Sequence, residues 1–368
     1  MHNNEIIYNN IKIKTILFSL TENKFINEII DYYNEKYIVL IDNFMTSTEE
    51  QRHILLNNVD IIFCEWCDVN AVFYSVNKKP HQKLFIRLHR YEIEQDKIYK
   101  IEWKNVNQLI FISQKIKTLF NKKLLNNSNY NKFVDIDPRI KHFNGGIVIH
   151  NYVKSNMFTN KQKNTNNEFN IGIMGILSKL KRPDIAIDII EHLIKINSKF
   201  KLHILSKNYK EIPWLANNIN ESKYYEKLFK RINDSNLKSH VIFSEFTDNP
   251  EKWFDNIGYI LSVSDIEGSH QAVAEGMATG TIPFIYGGAL VNYELDKIYP
   301  KKYCYYDFNI LCEKIIEMSH NLQLRHNESE YCKKFSYENF KFNKIINKFN
   351  DTIFNNIITN DTIINGIV

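Results

Sequence analysis

Two doubly wound α/β domains are the fold class this sequence predicts. Three observations predict it: short apolar runs separated by helix-length segments, a polar interruption, and a second such series beyond it. The first series occupies residues 14–18, 37–41, 59–63, 84–88 and 108–112. Each run is nearly continuous in β-branched, Leu or Phe residues, the composition of strands buried on both faces of a parallel sheet. A helix over 114–125 follows, with Ile116, Leu119, Phe120 and Leu124 on one face. Residues 159–168 have almost no apolar content and read as a linker. The second series then occupies 169–174, 201–205, 240–243, 259–263 and 281–285, with Ile185, Ile189, Leu193 and Ile196 marking a helical face between its first two strands. Near the end Phe342, Ile345, Ile346 and Phe349 share one face of a helix expected to pack back on the body. The expected division is 1–160, 169–334 and a closing helix over 335–368.

Composition fits that organisation. The chain has 368 residues, enough for two ordinary domains, and 44% hydrophobic with 24% charged residues describes a globular protein. A formal charge of +5, with Lys dispersed among Asn, Asp and Glu, gives no nucleic-acid footprint. No apolar run approaches the roughly 20 residues that cross a bilayer, and residues 1–8 lack the basic flank and apolar core of a secretion signal. A cytoplasmic protein is expected. The five cysteines, at 64, 67, 304, 312 and 332, form no disulfide framework.

Glycine placement says which half handles phosphate, since close backbone approach to an anion favours residues without a side chain. Residues 1–144 contain no glycine, whereas eight of the eleven lie between 172 and 288. No GxGxxG or Walker A sequence is present, which removes most support for a dinucleotide dehydrogenase or a P-loop enzyme. The run Ser264-Asp-Ile-Glu-Gly-Ser-His-Gln-Ala-Val-Ala-Glu-Gly-Met-Ala-Thr-Gly280 lies between two of the expected strands. Gly268 permits a tight turn, Ser269 is the expected helix cap, and Ala272 to Ala278 continues a small-residue helix whose first amides attract phosphate. Glu267 falls in the loop and Glu275 on the helix, where carboxylates accept hydrogen bonds from pairs of sugar hydroxyls. Upstream, Lys179, Lys181 and Arg182 cluster after the strand ending near Gly175 and before Pro183, a residue suited to a first helical turn. These cations suit a diphosphate leaving group. A solvated basic loop is the alternative.

Lys181-Arg-Pro-Asp184, followed by the Glu267-x7-Glu275 block, resembles the donor domain of family 4 retaining glycosyltransferases of the GT-B fold. Residues 106–113, Ile147-Val-Ile-His-Asn151 and Phe335-Ser-Tyr-Glu338 resemble further family signatures, so the likeness runs from about residue 84 to the end. The resemblance implies two Rossmann-like domains facing a cleft, and transfer of a sugar from a nucleotide diphosphate, most simply UDP-linked, to a hydroxyl of a glycan or lipid-linked acceptor. Configuration is retained and neither metal nor cofactor takes part. By the same resemblance Glu275 binds ribose, Glu267 the donor sugar, and the backbone at Ser269, His270 and Gln271 the phosphates, with Gly175, Gly268 and Ala272 lining the donor site. Lys181 meets the diphosphate, His89 stands beside the reacting sugar, and Arg90 assists. Two departures stand out: Ile176 occupies the family's usual Arg position, leaving Lys179 or Arg182 to supply a second charge, and Ser269-His270 replaces Phe-Gly.

Cys64-Glu-Trp-Cys67 has metal-ligand spacing but no second pair to complete a zinc site. Glu65 and Trp66, at a strand end, are read as acceptor contacts, with packing the alternative for Trp66. Lys115, Lys117, Lys122 and Lys123 on the 114–125 helix suit either an anionic inner-membrane surface or solvent. Two rivals remain open: a sugar-nucleotide epimerase or hydrolase of the same fold, and a non-catalytic nucleotide-binding scaffold.

Overall fold

The computed structural model describes residues 7–8, 11–12, 15–125, 146–158, 163, 167–234, 236–287 and 298–364. It divides into two units. The first comprises Met1–Tyr152 with Asn343–Val368, and the second Val153–Phe342. The boundary thus falls ahead of residue 160, and most of the expected linker lies outside the described residues.

The first unit holds six parallel strands: β1 (Thr15–Leu20), β2 (Ile38–Asn43), β3 (Ile61–Glu65), β4 (Lys83–Leu88), β5 (Gln108–Phe111) and β6 (Ile147–Val148). They are ordered β2-β1-β3-β4-β5-β6. β1, β3 and β4 are the interior strands with almost wholly buried side chains, as their unbroken apolar runs require. The direction of winding reverses between β1 and β3, which places a topological switch at the loops after Leu20 and Glu65.

Four helices of this unit are α1 (Asn27–Asn34), α2 (Glu49–Leu56), α3 (Val69–Asn77) and α4 (Gln114–Leu125). Thr48 and Gln51 form a reciprocal capping box at the start of α2, which satisfies two amides that the helix cannot. On α4 the lysines are largely used internally. Lys115 is 1% exposed, Lys117 Nζ donates to the Gly146 carbonyl at 2.6 Å, and Lys123 Nζ donates to the Ile93 carbonyl. Lys122 is the one of the four that is exposed. Among the described residues no helix is long and apolar enough to cross a membrane.

The second unit holds β7 (Asn170–Met174), β8 (Lys201–Leu205), β9 (Val241–Ser244), β10 (Tyr259–Ser262), β11 (Ile282–Tyr286) and β12 (Cys304–Tyr305), ordered β9-β8-β7-β10-β11-β12 and all parallel. Its switch lies between β7 and β10. Those two strands pair only through Ile171 with Tyr259 and Gly172 with Ile260, so they part before either ends, at Met174 and Ser262. The longer helices of the unit are α5 (Pro183–Ile196), α6 (Ile219–Asn233), α7 (Gln271–Ala278), α8 (Phe308–His320) and α9 (Leu322–Phe340). Ile187, Ile190 and Leu193 of α5 share a core with Ile171, Leu202 and Ile260.

The expected closing helix is two helices. α9 ends at Phe340, and α10 (Phe342–Ile364) returns to the first unit, burying Ile345, Ile346 and Phe349. There the Phe349 ring lies 5.8 Å from Phe63, and Tyr33 donates to Asn350 at 3.0 Å.

Candidate functional site

The switch of the second unit gathers most of the residues the sequence singles out. β7 runs into Gly175, whose φ of +71° is a conformation that L side chains rarely adopt; a Cβ added there meets nothing within 4 Å. The backbone at this strand end is therefore open on the Cβ side. Ile176, next along, is buried in the core, and its carbonyl accepts from Tyr225 at 2.7 Å. The side chain at this position packs into the core and faces no solvent.

The loop then delivers Lys181, whose ammonium lies 2.5 Å from Glu267 Oε1 in the loop after β10. Ser264 Oγ donates to the same oxygen at 2.7 Å, and the Asp265 amide ties the two loops by donating to the Leu180 carbonyl at 2.9 Å. Burial pushes the Glu267 carboxyl up, but the Lys181 charge, the nearby His270 and the hydrogen bonds from Lys181 and Ser264 outweigh it and bring it down to about 2. Glu267 is held ready as a carboxylate, with a cation beside it.

Arg182 is placed differently from expectation. Its guanidinium is divided between Asp184, with Nη2 2.9 Å away, and Asp265, with Nη1 2.9 Å away. Those carboxylates neutralise the charge that a leaving phosphate would need. Arg182 is itself the left-handed residue, at φ +50°, that starts α5, where Pro183 takes the first helical position as expected. Lys179 is exposed, and its amide donates to Glu221 at 2.9 Å. Lys181 is thus the cation that this loop brings against Glu267.

The start of α7 also differs in detail. The capping residue is His270, not Ser269, and it caps through its backbone in the left-handed region at φ +49°. Tertiary contacts impose this: Ser262 Oγ lies 2.6 Å from His270 Nδ1, and Tyr299 donates to the carbonyls of Ser269 and His270, both at 2.9 Å. The amides of Val273 and Ala274 turn back to the His270 carbonyl, leaving Gln271 and Ala272 at the head of the first turn, next to Gly268 and Ser269. Gln271 donates to Glu275 at 3.2 Å, so both glutamates of the block belong to this corner of the unit. Sequence reasoning missed Tyr299 and Ser262, whose roles depend wholly on partners distant in the chain or hidden in a strand.

The switch of the first unit builds a second cluster. His89 follows β4 and is 3% exposed, with Nε2 2.8 Å from Glu65 Oε1 at the end of β3. Glu65, read as an acceptor contact, is fully buried at 0% exposure, and Arg87 Nη1 lies 3.2 Å from the same oxygen. Both partners meet Oε1; Oε2 is buried without a hydrogen bond among the described residues, and the side chain has no exposed surface. Trp66 is half-buried: its ring stacks on His89 at 4.0 Å and its N–H donates to the Glu22 carbonyl at 2.9 Å. Arg90 pairs with Glu94 at 3.0 Å near the surface. Arg87 went unremarked in the sequence, although a charge inside the apolar run Leu84-Phe-Ile-Arg-Leu88 was the available signal.

Cys64 and Cys67 are free and fully buried, and burial pushes both thiols well above their ordinary range. Neither is a metal ligand in waiting. No cluster of three or more His, Cys, Asp or Glu suited to a metal occurs among the described residues.

No family model matches the chain. A stretch of 130 residues is 26% identical to a poly(ribitol-phosphate) alpha-N-acetylglucosaminyltransferase of Staphylococcus aureus strain COL, covering 35% of this chain and 23% of that protein. Among solved structures, Anabaena Alr3699/HepE in complex with UDP superposes with a TM-score of 0.66 at 14% identity, covering 93% of this chain and 99% of that one. TarM superposes with a TM-score of 0.55 at 18% identity over 79% of this chain. This chain spans 54% of TarM's length. These likenesses establish the fold, two Rossmann-like domains of the GT-B class.

Proposed function

We propose that the protein is a glycosyltransferase that moves a sugar from a nucleotide diphosphate donor, UDP-linked, to a hydroxyl of a glycan or lipid-linked acceptor. The observation that carries this reading is the Lys181–Glu267 pair at the carboxyl-end switch of the second unit, where α/β sheets bind their ligands. The Anabaena protein was solved with UDP and with UDP-glucose, and the Staphylococcus protein is named for transfer of N-acetylglucosamine to a polyol-phosphate polymer. The Anabaena complexes favour a UDP-sugar donor, and a cell-surface polysaccharide is the acceptor class we adopt.

In this reading the amides heading α7 and the Lys181 ammonium receive the diphosphate, Glu275 the ribose, and Glu267 the hydroxyls of the transferred sugar. The bond from the anomeric carbon to the diphosphate oxygen breaks while the bond to the acceptor oxygen forms on the same face. The acceptor proton passes to the departing phosphate oxygen, and configuration is retained. Charge development on the phosphate is met by Lys181 and the helix start, so we assign no metal to the step.

The test is thermal stabilisation by UDP-, GDP- and ADP-linked sugars, followed by turnover with glycan acceptors. UDP-sugars are expected to raise the unfolding temperature. Failure of all three classes to stabilise the folded protein overturns the proposal. Release of free sugar at full rate without acceptor points to a hydrolase, and binding without turnover on any acceptor points to a scaffold.

A further inference from the structure

Tyr299 is buried at 1% exposure against the loop that opens α7. Its ring is seated on α9, with the rings of Phe340 5.8 Å and Phe335 6.5 Å away, centroid to centroid. α9 also holds α7 directly, since Ser336 Oγ donates to the Ala274 carbonyl at 2.9 Å. From that seat the Tyr299 hydroxyl reaches the carbonyls of Ser269 and His270, both at 2.9 Å. Burial and the charges of Glu267 and Glu275 push this phenol well above its ordinary range, so it stays an O–H and donates to the carbonyls.

The two carbonyls do not depend on it equally. That of His270 also accepts from the Val273 and Ala274 amides in the first turn of α7, at 2.9 and 3.3 Å. That of Ser269 lies one peptide ahead of the helix, and Tyr299 draws it to the same side. Both peptides are trans, and a planar trans peptide points its N–H opposite to its C=O. The Ser269 carbonyl faces Tyr299, so the His270 N–H faces away from it, and the Gln271 N–H faces away from the His270 carbonyl. His270, left-handed at φ +49° and ψ +52°, is followed by the right-handed helix, and successive amides across such a change of hand form a concave nest for an anion. Ser262 Oγ, 2.6 Å from His270 Nδ1, anchors the side chain of the left-handed residue.

We propose that Tyr299 is a positioning residue for the diphosphate: by holding the Ser269 carbonyl it turns the His270 amide to join those of Gln271 and Ala272 around one phosphate group. The ligand rests on the glycosyltransferase reading; the direction of the amide does not. Phosphate binding then depends on a hydroxyl that never touches phosphate, and through it on α9.

Tyr299→Phe removes the hydroxyl and keeps the ring. Calorimetry of the full chain with uridine, UDP and sodium pyrophosphate separates the outcomes. UDP and pyrophosphate are expected to bind the variant about tenfold more weakly than the wild type, and uridine within about twofold. A general loosening of the unit weakens all three alike; that result overturns the proposal, as does an unchanged UDP affinity.

A spectrum reads the amide itself. In the chain labelled with 15N-histidine, the His270 backbone signal is identified by its loss in His270→Asn, a residue that tolerates the left-handed region. Saturating pyrophosphate is expected to move that signal in the wild type, and to move it less than about half as far in Tyr299→Phe. Equal movement in the two proteins overturns the role of Tyr299. Should Tyr299→Phe fail to melt cooperatively, Ser262→Ala is the second probe. It is expected to weaken UDP about threefold and leave uridine unchanged, and an unchanged UDP affinity overturns the claim that the held backbone of His270 meets the phosphate. If pyrophosphate moves the wild-type signal but no sugar nucleotide binds, the glycosyltransferase reading falls and the positioning role stands. If UDP binds without moving it, the role falls and the reading stands.

Discussion

The Lys181 ammonium lies 2.5 Å from the Glu267 carboxylate, joining the loops that follow β7 and β10 across the point where the second sheet reverses its winding. The same contact that settles the loops presents a cation and an anion side by side. One partner suits a diphosphate and the other a sugar hydroxyl. Their substitutions should therefore separate. Lys181→Met is expected to abolish the thermal shift given by UDP itself. Glu267→Gln should keep that shift and lose the additional stabilisation that a UDP-sugar gives over UDP. Calorimetric titration of the two variants with both ligands checks this, and identical behaviour of the two would count against the assignment.

The pH dependence of stability follows from the depressed Glu267 carboxyl, held at about 2 against its ordinary 4.5. A carboxyl lowered on folding stabilises the protein fully above its unfolded value, and that contribution fades as pH falls through the folded one. Lys181 is about a third exposed, so solvent screening reduces the size of the effect. The urea midpoint of the wild type should exceed that of Glu267→Gln at pH 6, and the gap should narrow below about pH 4.5 and close toward pH 2. A gap that widens on acidification would refute the pairing.

Two glycines of the second unit should respond to alanine for different reasons. At Gly175 the new Cβ meets open space but must accept φ +71°, a cost of about 1–2 kcal/mol. At Gly258 the Cβ would lie 2.3 Å from the Asn167 carbonyl oxygen, a backbone atom that cannot swing aside. Gly258→Ala should be the more damaging by urea denaturation, and Gly175→Ala should show its larger effect in UDP affinity.

The buried Glu65–Arg87 contact predicts a strongly non-additive pair. Glu65→Leu leaves the Arg87 charge buried beside its missing partner, a loss of about 3–5 kcal/mol. Removing both charges in Glu65→Leu/Arg87→Met should cost less than Glu65→Leu alone. A double-mutant cycle read by chemical denaturation measures the coupling.

The strands were legible because interior strands of parallel sheets have to be apolar on both faces, so β1, β3, β7 and β10 announce themselves as runs. The two-residue edge strands β6 and β12 carry no such signal. Glu267 and Lys181 were legible as neighbours of strand ends, and 86 positions apart they meet because the sheet brings those ends together. Local chemistry misled at the cap of α7, where Ser269 has the preferred side chain but Ser262 and Tyr299 place His270 in the capping position. It misled again at Glu65, since a carboxylate at a strand end reads as available until Arg87 and His89 are found against it. The apolar face of α10 was readable; its destination in the first unit was not, because an apolar stripe does not name its partner.

That destination sets an order of events during synthesis. The Val153 amide donates to the Phe340 carbonyl at 2.8 Å, so the second unit begins and ends at adjacent points and forms a self-contained insert within the first. Domains commonly fold as they emerge from the ribosome, N-terminal first. Here the first unit lacks Ile345, Ile346 and Phe349 until every strand of the second has been translated. The half of the molecule made first is the last to close its core. In the interval the β1–β3 layer holds Phe63 without its Phe349 partner.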